Sequence, residues 1–218
     1  MKFIKEWLPL AIIVILIILS RIFIWDSVSV DGPSMDPTLA NNQKLIMLRS
    51  GVTGFSRGDI VVAKETLAQT QKNDASATSG KTIVKRVVGM PGDTLVFKGD
   101  TLTINGKAYS QPWLQQYKNL FDSGKLSDTY LNGSSMSNLP TTDRQFFADT
   151  ASTAKAFTVD STGNSDFTVK VPANEYYLLG DDRIVSADSR LVGGFTKSQI
   201  KGDVVFRFFP FNKIGTLK

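Results

Sequence analysis

The chain contains no histidine and no cysteine among its 218 residues. Without histidine it cannot build a Ser-His-Asp triad or use an imidazole base. Without cysteine it has no thiol nucleophile, no disulfide and no thiolate ligand for zinc. Any catalysis by its own side chains must therefore use serine, threonine, lysine, tyrosine, aspartate or glutamate.

The basic residues are scattered along the chain. The net charge is +5, and no block of five or six like charges occurs. Scattered positive charge is compatible with an anionic membrane surface or a cell wall, whereas nucleic-acid binding usually needs a clustered basic patch. We therefore expect membrane lipid, and no nucleic acid, among the partners.

A long apolar run, Leu8–Trp25, lies near the N-terminus. As a helix it would measure about 27 Å, close to the hydrocarbon thickness of a bilayer. Lysines precede the run and aspartates follow it, so the positive-inside rule predicts a cytoplasmic N-terminus and an extracellular remainder. A cleavable signal peptide and a buried soluble helix are the alternatives. The run is long for the first and lacks a polar face for the second.

The remainder of the chain has a β-like pattern of short segments rich in valine, isoleucine, phenylalanine and threonine. We predict a mostly β fold, a barrel or sandwich with few helices. The predicted strands are Ser27–Val30, Lys44–Leu48, Asp59–Ala63, Thr82–Val88, Thr94–Lys98, Thr101–Ile104, Phe167–Val171, Tyr176–Leu179 and Val204–Phe209.

Two polar stretches are predicted to be insertions into this β core. Glu65–Gly80 reads as a mobile loop, and residues 106–166 have enough aromatic residues to fold as a small cap with helices near Trp113–Phe121 and Asp143–Ala148. The predicted organisation is an anchor at 1–25 and one extracytoplasmic domain at 26–218. Its core is residues 26–105 and 167–218, and its cap is residues 106–166.

The first motif with chemical potential is Asp31–Leu39, which contains Ser34. Gly32 and two prolines should make a tight, rigid bend that could expose a nucleophile. Taken alone, a serine in such a bend is more often only a turn residue.

The second motif is the predicted strand that contains Lys85. Because side chains alternate along a strand, Lys85 shares a face with Ile83 and Val87, and Arg86 shares the opposite face with Val84 and Val88. One of the two charges could lie at the margin of a sheet. If Lys85 instead points inward, burial lowers its pKa, and the neutral amine could take a proton from a serine. Arg86 cannot do so, because it stays charged.

The third motif is Gly180–Arg190, a run dense in small polar and charged residues directly after a predicted strand. It reads either as a solvated turn with a surface ion pair or as a rigid loop that orients the lysine through Ser186.

Together, these motifs resemble the conserved boxes of type I signal peptidases, and they occur in the family's order behind the apolar run. The single anchor and modest size are similar to the Gram-positive branch. The matching segments are Ser34–Leu39, Arg57–Val62, Lys85–Asp93 and Gly180–Arg190.

The resemblance implies a membrane-bound serine endopeptidase that uses a Ser/Lys pair without metal or cofactor. Ser34 resembles the nucleophile, Lys85 the general base and Ser186 the hydroxyl that orients the lysine. The residues that resemble the family's supporting positions are Gly32, Met35, Arg86, Asp181, Asp188 and Arg190, of which Asp188 and Arg190 would form a structural ion pair. The implied substrates are secretory preproteins with small residues, above all alanine, one and three positions before the cut, and the secretion translocon is a possible further partner.

Two positions depart from the family pattern. Gly32 stands where some members carry a serine that assists the oxyanion, so the second oxyanion donor is open. Asp182 stands where asparagine is common, which adds a negative charge near the site and leaves its effect on the pKa of Lys85 open. Two other classes of protein are alternatives: a membrane-tethered assembly factor without activity, and a self-cleaving repressor-type Ser/Lys peptidase, which needs no anchor.

Overall fold

The computed structural model describes residues 2–52 and 54–217, with side chains from residue 7 onward. Helix α1, Lys2–Phe23, comes first, and its apolar side chains are exposed. The helix ends before Trp25, which begins the first strand instead of closing the predicted anchor. Within the described residues, no helix is both long enough and apolar enough to cross a membrane. The membrane span therefore stays a prediction.

The described part of the chain is mostly β, as predicted, and each of the nine predicted strands overlaps an observed one. The strands are β1 (Trp25–Ser29), β2 (Lys44–Arg49), β3 (Ile60–Lys64), β4 (Thr82–Gly89), β5 (Thr94–Lys98), β6 (Thr101–Ile104), β7 (Lys107–Tyr109), β8 (Phe167–Lys170), β9 (Glu175–Leu179), β10 (Phe195–Thr196), β11 (Ile200–Phe209) and β12 (Gly215–Thr216). The short strands β7, β10 and β12 were not predicted from the sequence.

The described strands form two antiparallel sheets. The larger has the order β1-β2-β11-β3-β4-β9-β10, with β12 beside β11, and the smaller has the order β7-β6-β5-β8. Strand β4 pairs with β3 on one side and β9 on the other, so it lies inside the larger sheet and not at its margin. Both Lys85 and Arg86 are buried, at 3% and 6% exposure, so the interpretation that one of them lies at a sheet margin is wrong.

The remaining helices lie mainly between β7 and β8. Their bounds are α2 (Leu67–Gln71), α3 (Gln115–Asp122), α4 (Leu126–Asn132), α5 (Thr141–Thr153) and α6 (Ser189–Val192). Helices α3 and α5 correspond to the two predicted helices, whereas α4 was not predicted. Helix α2 lies in the stretch that was interpreted as a mobile loop. The side chain of Thr66 caps it and Gln69 completes a capping box, a Thr-x-x-Gln signal that is readable in the sequence.

The buried apolar side chains form several clusters that hold the catalytic motifs in place. Val61, Val87 and Leu178 belong to a cluster on the larger sheet. A second cluster, with Met35 and Leu39, fastens the bend around Ser34. A third cluster fills the helical segment between β7 and β8, which we call the cap. Ile184 and Val185 pack against that cluster, so the loop Gly180–Arg190 lies between the cap and the sheets.

Candidate active site

Ser34 lies on a bend that is fixed at several points. Gly32 has a φ of +88°, which glycine adopts readily, and its N–H donates to Oδ1 of Asn41 at 3.0 Å. The side chain of Met35 is buried, and its carbonyl accepts from the N–H of Leu39 at 2.8 Å. Ser34 itself is only partly buried. The bend therefore holds the Ser34 hydroxyl at an accessible and defined position.

Lys85 reaches this hydroxyl from strand β4. Its Nζ lies 2.6 Å from Oγ of Ser34. Burial lowers the pKa of Lys85 to about 8, because the charged amine loses its water. The negative charges of Asp188 and Glu65 oppose this shift, while Lys81 adds to it. A substantial fraction of Lys85 is therefore neutral near pH 8, where it can accept a proton from Ser34.

Arg86, the next residue of β4, is paired with Asp181. Its Nε and Nη2 donate to the two carboxylate oxygens at 2.8 and 2.6 Å, a bidentate geometry that only arginine provides. A third guanidinium nitrogen donates to the carbonyl of Gly58 at 2.7 Å. The guanidinium carbon lies 4.3 Å from the ring centre of Trp113. Arg86 thus connects strand β4 to the start of the loop Gly180–Arg190.

The other end of this loop is held by Asp188 and Arg190. Arg190 donates to both oxygens of the buried Asp188 at 2.8 Å, and the N–H of Gly180 donates to Asp188 at 3.0 Å. Burial alone would raise the pKa of Asp188, but the Arg190 charge and the hydrogen bonds from Arg190 and Gly180 outweigh it and lower this pKa, so the carboxylate stays charged. Gly180 lies so close to the backbone of Ser34 and to Ser186 that a Cβ there would collide with both.

A groove of about 830 Å³ runs past Ser34 and Lys85. Gly32, Met35 and Ser186 also line it. Further lining residues come from β4, from the α2 region and from helix α5 of the cap, among them Ile83, Glu65, Asp74, Asp143, Phe146 and Phe147. The groove therefore extends past both central side chains, and both insertions contribute to its walls.

The sequence matches a model of the signal peptidase family, peptidase S26, over residues 4–209. The chain belongs to this family. A signal peptidase I from Streptococcus pneumoniae R6 is 44% identical over 99% of this chain and 97% of its own length. A signal peptidase I from Bacillus licheniformis is 35% identical over 96% and 90%. A crystal structure of signal peptidase I from Enterococcus faecalis V583 aligns with a TM-score of 0.43 at 23% identity, covering 69% of this chain and 97% of that one.

Membership of the S26 family identifies the chain as a serine endopeptidase of the signal peptidase I type with a β-rich fold. The nine predicted site residues lie close together. Lys85 contacts Ser34, Arg86 pairs with Asp181 and Asp188 with Arg190, while Gly32, Met35 and Ser186 line the groove. The buried hydroxyl of Ser186, however, has no hydrogen-bond partner among the described residues. The orienting bond from Ser186 to Lys85 is therefore not formed in this conformation.

Asp182 lies beside the site, as expected, because its N–H donates to the carbonyl of Ser34, but its carboxylate is buried and accepts from the hydroxyl of Tyr130 in the cap. The charges with the largest effects on the pKa of Lys85 come from other residues. One of these is Glu65, whose role was not predicted and whose carboxylate accepts from Thr70 at 2.8 Å. No local sequence signal indicates Tyr130, because its partner lies 52 residues away. Among the described residues, no group of three or more acidic side chains could hold a metal ion.

Proposed function

We propose that this signal peptidase cleaves preproteins with Ser34 as nucleophile and Lys85 as general base. The observation that carries the proposal is the 2.6 Å contact between Nζ of Lys85 and Oγ of Ser34 within the groove. A nucleophile needs a base within hydrogen-bond distance, and the base must be neutral when it acts. A buried lysine with a pKa of about 8 meets both requirements.

In the acylation step, Oγ of Ser34 attacks the scissile carbonyl carbon while Lys85 takes the hydroxyl proton. The resulting ammonium of Lys85 gives this proton to the departing amine, and the peptide C–N bond breaks. An ester between Ser34 and the upstream peptide remains. Water then attacks the ester, Lys85 takes a proton from the water and returns it to Ser34, and the upstream peptide leaves as a carboxylic acid.

The tetrahedral intermediates need hydrogen-bond donors for the oxyanion. We propose the backbone N–H of Ser34 as one donor. The N–H of Gly32 is occupied by Asn41, and Gly32 has no side chain to offer. A second donor must therefore come from another group or from water.

The proposed substrates are preproteins that carry signal peptides, as the names of the relatives indicate. We propose that the peptide lies extended in the groove along residues 82–85 of β4, which pair with β3 but precede the register with β9, and that it pairs with the backbone there. Ile83 and Met35 line the groove beside the Ser/Lys pair and would leave room for alanine one and three positions before the cut. Larger side chains would be excluded by these apolar walls.

Ser186 is proposed to act on Lys85 after a change of its side-chain rotamer. Its backbone is fixed, since its N–H donates to the carbonyl of Asp182 at 3.2 Å and its carbonyl accepts from Arg190 at 3.3 Å. Only the hydroxyl has to turn, and rotation of a serine side chain is easy. The Asp188–Arg190 pair would hold this backbone in place during catalysis.

We further propose that helix α1 attaches the enzyme to the extracytoplasmic face of the cell membrane. This proposal is supported by the exposure of apolar side chains along the helix, for example 59% for Leu16 and 57% for Ile17. Many apolar side chains exposed along one helix are unfavourable in water and are stabilised in lipid. Attachment would hold the groove near the membrane surface, where a signal peptide emerges.

The test is cleavage of a lipid-anchored peptide with an Ala-x-Ala site by the full chain in detergent. We expect Ser34→Ala and Lys85→Met to abolish cleavage, and wild-type turnover to rise with pH through about 8, as Lys85 loses its proton. A peptide with phenylalanine in place of either alanine should be a poor substrate. Cleavage that survives either substitution would refute the Ser/Lys mechanism. A wild-type chain that cuts no preprotein would favour the alternative of an inactive assembly factor.

A further inference from the structure

A buried hydrogen bond joins the cap to the loop behind the proposed active site. Tyr130 lies on helix α4, and its Oη is 2.8 Å from both carboxylate oxygens of Asp182, to which it donates. Both side chains are fully buried. Because water cannot replace a lost partner there, removal of the phenol hydroxyl would leave the carboxylate short of a donor.

The backbone of Asp182 contacts both serines of the proposed site. Its N–H donates to the carbonyl oxygen of Ser34 at 3.2 Å, and its carbonyl accepts from the N–H of Ser186 at 3.2 Å. A shift of Asp182 would therefore move the backbone on which both hydroxyl groups are mounted.

The peptide unit between Asp181 and Asp182 is held from two sides. The Asp181 side chain is bound by Arg86, the neighbour of Lys85 in β4, whereas the Asp182 side chain is bound by Tyr130 of the cap. Because Asp182 bonds to the backbone of Ser34, this unit connects Ser34 both to the strand that carries the base and to the cap. With the Tyr130 hydroxyl removed, the Asp182 carboxylate would keep only the backbone N–H groups of Ile184 and Val185, which belong to its own loop, as donors among the described residues.

We propose that Tyr130 and Asp182 are positioning residues, through which the cap holds Ser34 in line with Lys85. The inference rests on the proposed Ser/Lys mechanism. Neither residue is among those that line the groove in the described part of the chain, so neither touches the peptide. Their effect is on the rate of the chemical step and not on substrate binding.

Arg190 acts on both Asp182 and Lys85, but the largest charge effects on the pKa of Lys85 come from Asp188 and Glu65. Burial raises the pKa of Asp182 to about 7, and the hydrogen bond from Tyr130 opposes that shift. Tyr117 of the cap, Asp36 of the serine bend and Arg190 also face this cluster. At pH 9.5 Asp182 is ionised, so substitutions there can be compared without its titration. Asp182 is not among the charges with the largest effects on the pKa of Lys85, so the pH midpoint should stay near 8.

The experiment measures kcat and KM of the full chain at pH 9.5, together with the pH midpoint of kcat. We expect Tyr130→Phe and Asp182→Ala each to lower kcat by about tenfold or more, because small displacements of reacting groups are costly, with KM within about twofold of wild type. Asp182→Asn should keep most of the activity, since its amide oxygen still accepts from Tyr130. The double variant Tyr130→Phe with Asp182→Ala should be no slower than Asp182→Ala alone, because both act through one contact.

Tyr117→Phe is the matched control, since it removes another buried phenol from the same cap cluster, one that bonds to Ser135 instead of Asp182. Its kcat should equal that of wild type, and rates are corrected for the folded fraction by circular dichroism. A Tyr130→Phe enzyme with a kcat within about twofold of wild type would overturn the inference. So would an Asp182→Asn enzyme as slow as Asp182→Ala, and this comparison decides the matter if Tyr130→Phe fails to fold. Ser34→Ala is run in parallel: cleavage that persists without Ser34 refutes the proposed function itself, whereas an unaffected Tyr130→Phe enzyme alongside an inactive Ser34→Ala refutes only the positioning role.

Discussion

Replacing Lys85 by methionine should make the protein inactive and at the same time more stable below pH 8. Burial lowers the pKa of Lys85 from 10.5 to about 8. A depression of this size means that the protonated amine is less favourable in the folded chain than in the unfolded chain by roughly 3 kcal/mol. Methionine has a similar length and carries no charge, so the substitution removes this penalty.

The sign of the effect depends on pH. Below about 8 the amine is protonated in both states, and the folded state bears the full penalty. Between about 8 and 10.5 the unfolded chain binds a proton that the folded chain has lost, so wild-type stability rises with pH. Above this range the amine is neutral in both states and no penalty remains. The advantage of Lys85→Met should therefore be largest at acidic to neutral pH and should fade by pH 11.

The net gain is smaller than the penalty, because the hydrogen bond between Lys85 and Ser34 is lost as well, at about 1 kcal/mol. We therefore expect Lys85→Met to raise the free energy of unfolding by about 2 kcal/mol at pH 6. Urea unfolding in detergent, followed by tryptophan fluorescence at pH 6, 8 and 10.5, measures this difference. Lys98→Met is the control, because Lys98 is an exposed lysine of strand β5. A Lys85→Met chain that is no more stable than wild type at pH 6, or whose gain is the same at every pH, would refute the reasoning.

Four further substitutions test other contacts. Glu65→Gln should move the midpoint of the pH–rate profile to lower pH, because the Glu65 charge raises the pKa of Lys85. Lys81→Met should move the midpoint to higher pH, because the Lys81 charge lowers the pKa of Lys85. Midpoints equal to that of wild type would contradict both predictions. Gly180→Ala should lower kcat strongly, since its Cβ collides with Ser34 and Ser186, whereas Gly215→Ala, with open space around it, should be neutral in the same assay. Arg86→Lys should lower the free energy of unfolding by about 2 kcal/mol or more, because lysine cannot reproduce the bidentate bond to Asp181; a melting temperature equal to that of wild type would count against this account.

The strands and the bend around Ser34 could be predicted from the sequence because their signals are local. Alternation of apolar side chains marks the strands, and the turn residues around Ser34 mark its bend. Lys85 and Ser34 are 51 residues apart, and no pattern in either segment alone requires them to meet. The resemblance to a family with the same order of motifs suggested the hypothesis that they act as a pair. The folded structure then places the two side chains in contact.

The contacts between the cap and the loop Gly180–Arg190 could not be predicted in this way. Tyr130 lies in a segment of weak helical periodicity, and Asp182 reads as one of several charges in a polar run. Whether such a carboxylate is solvated or buried depends on the packing of Ile184 and Val185 against the cap, which is a tertiary property. The hydroxyl direction of Ser186 is likewise a side-chain rotamer, which neither composition nor spacing determines.

The region Glu65–Gly80 shows how composition alone can mislead. Its many small polar residues indicated a mobile loop, yet it contains helix α2 and contributes Glu65 and Asp74 to the groove. The hydroxyl of Thr70 donates to Glu65 and accepts from the N–H of Lys81, which ties the two ends of the segment together. The capping box at Thr66 was the available signal, and it outweighs the polar composition because it satisfies specific backbone groups.

Lys85 and Arg86, the two adjacent basic residues of β4, are both buried, and the cost of burying their charges is met in different ways. Arg86 cannot lose its proton, so its burial requires the bidentate carboxylate of Asp181. Lys85 forms no ion pair within the described part of the chain, and its amine instead contacts the Ser34 hydroxyl. Asp188 acts on Lys85 only through its charge, because its oxygens are engaged by Arg190 and by the N–H of Gly180. The arrangement pairs Asp181 and Asp188 with arginines and leaves Lys85 without a carboxylate partner among the described residues. The cost of burying Lys85 is therefore relieved by loss of its proton, which gives the neutral amine that a general base requires.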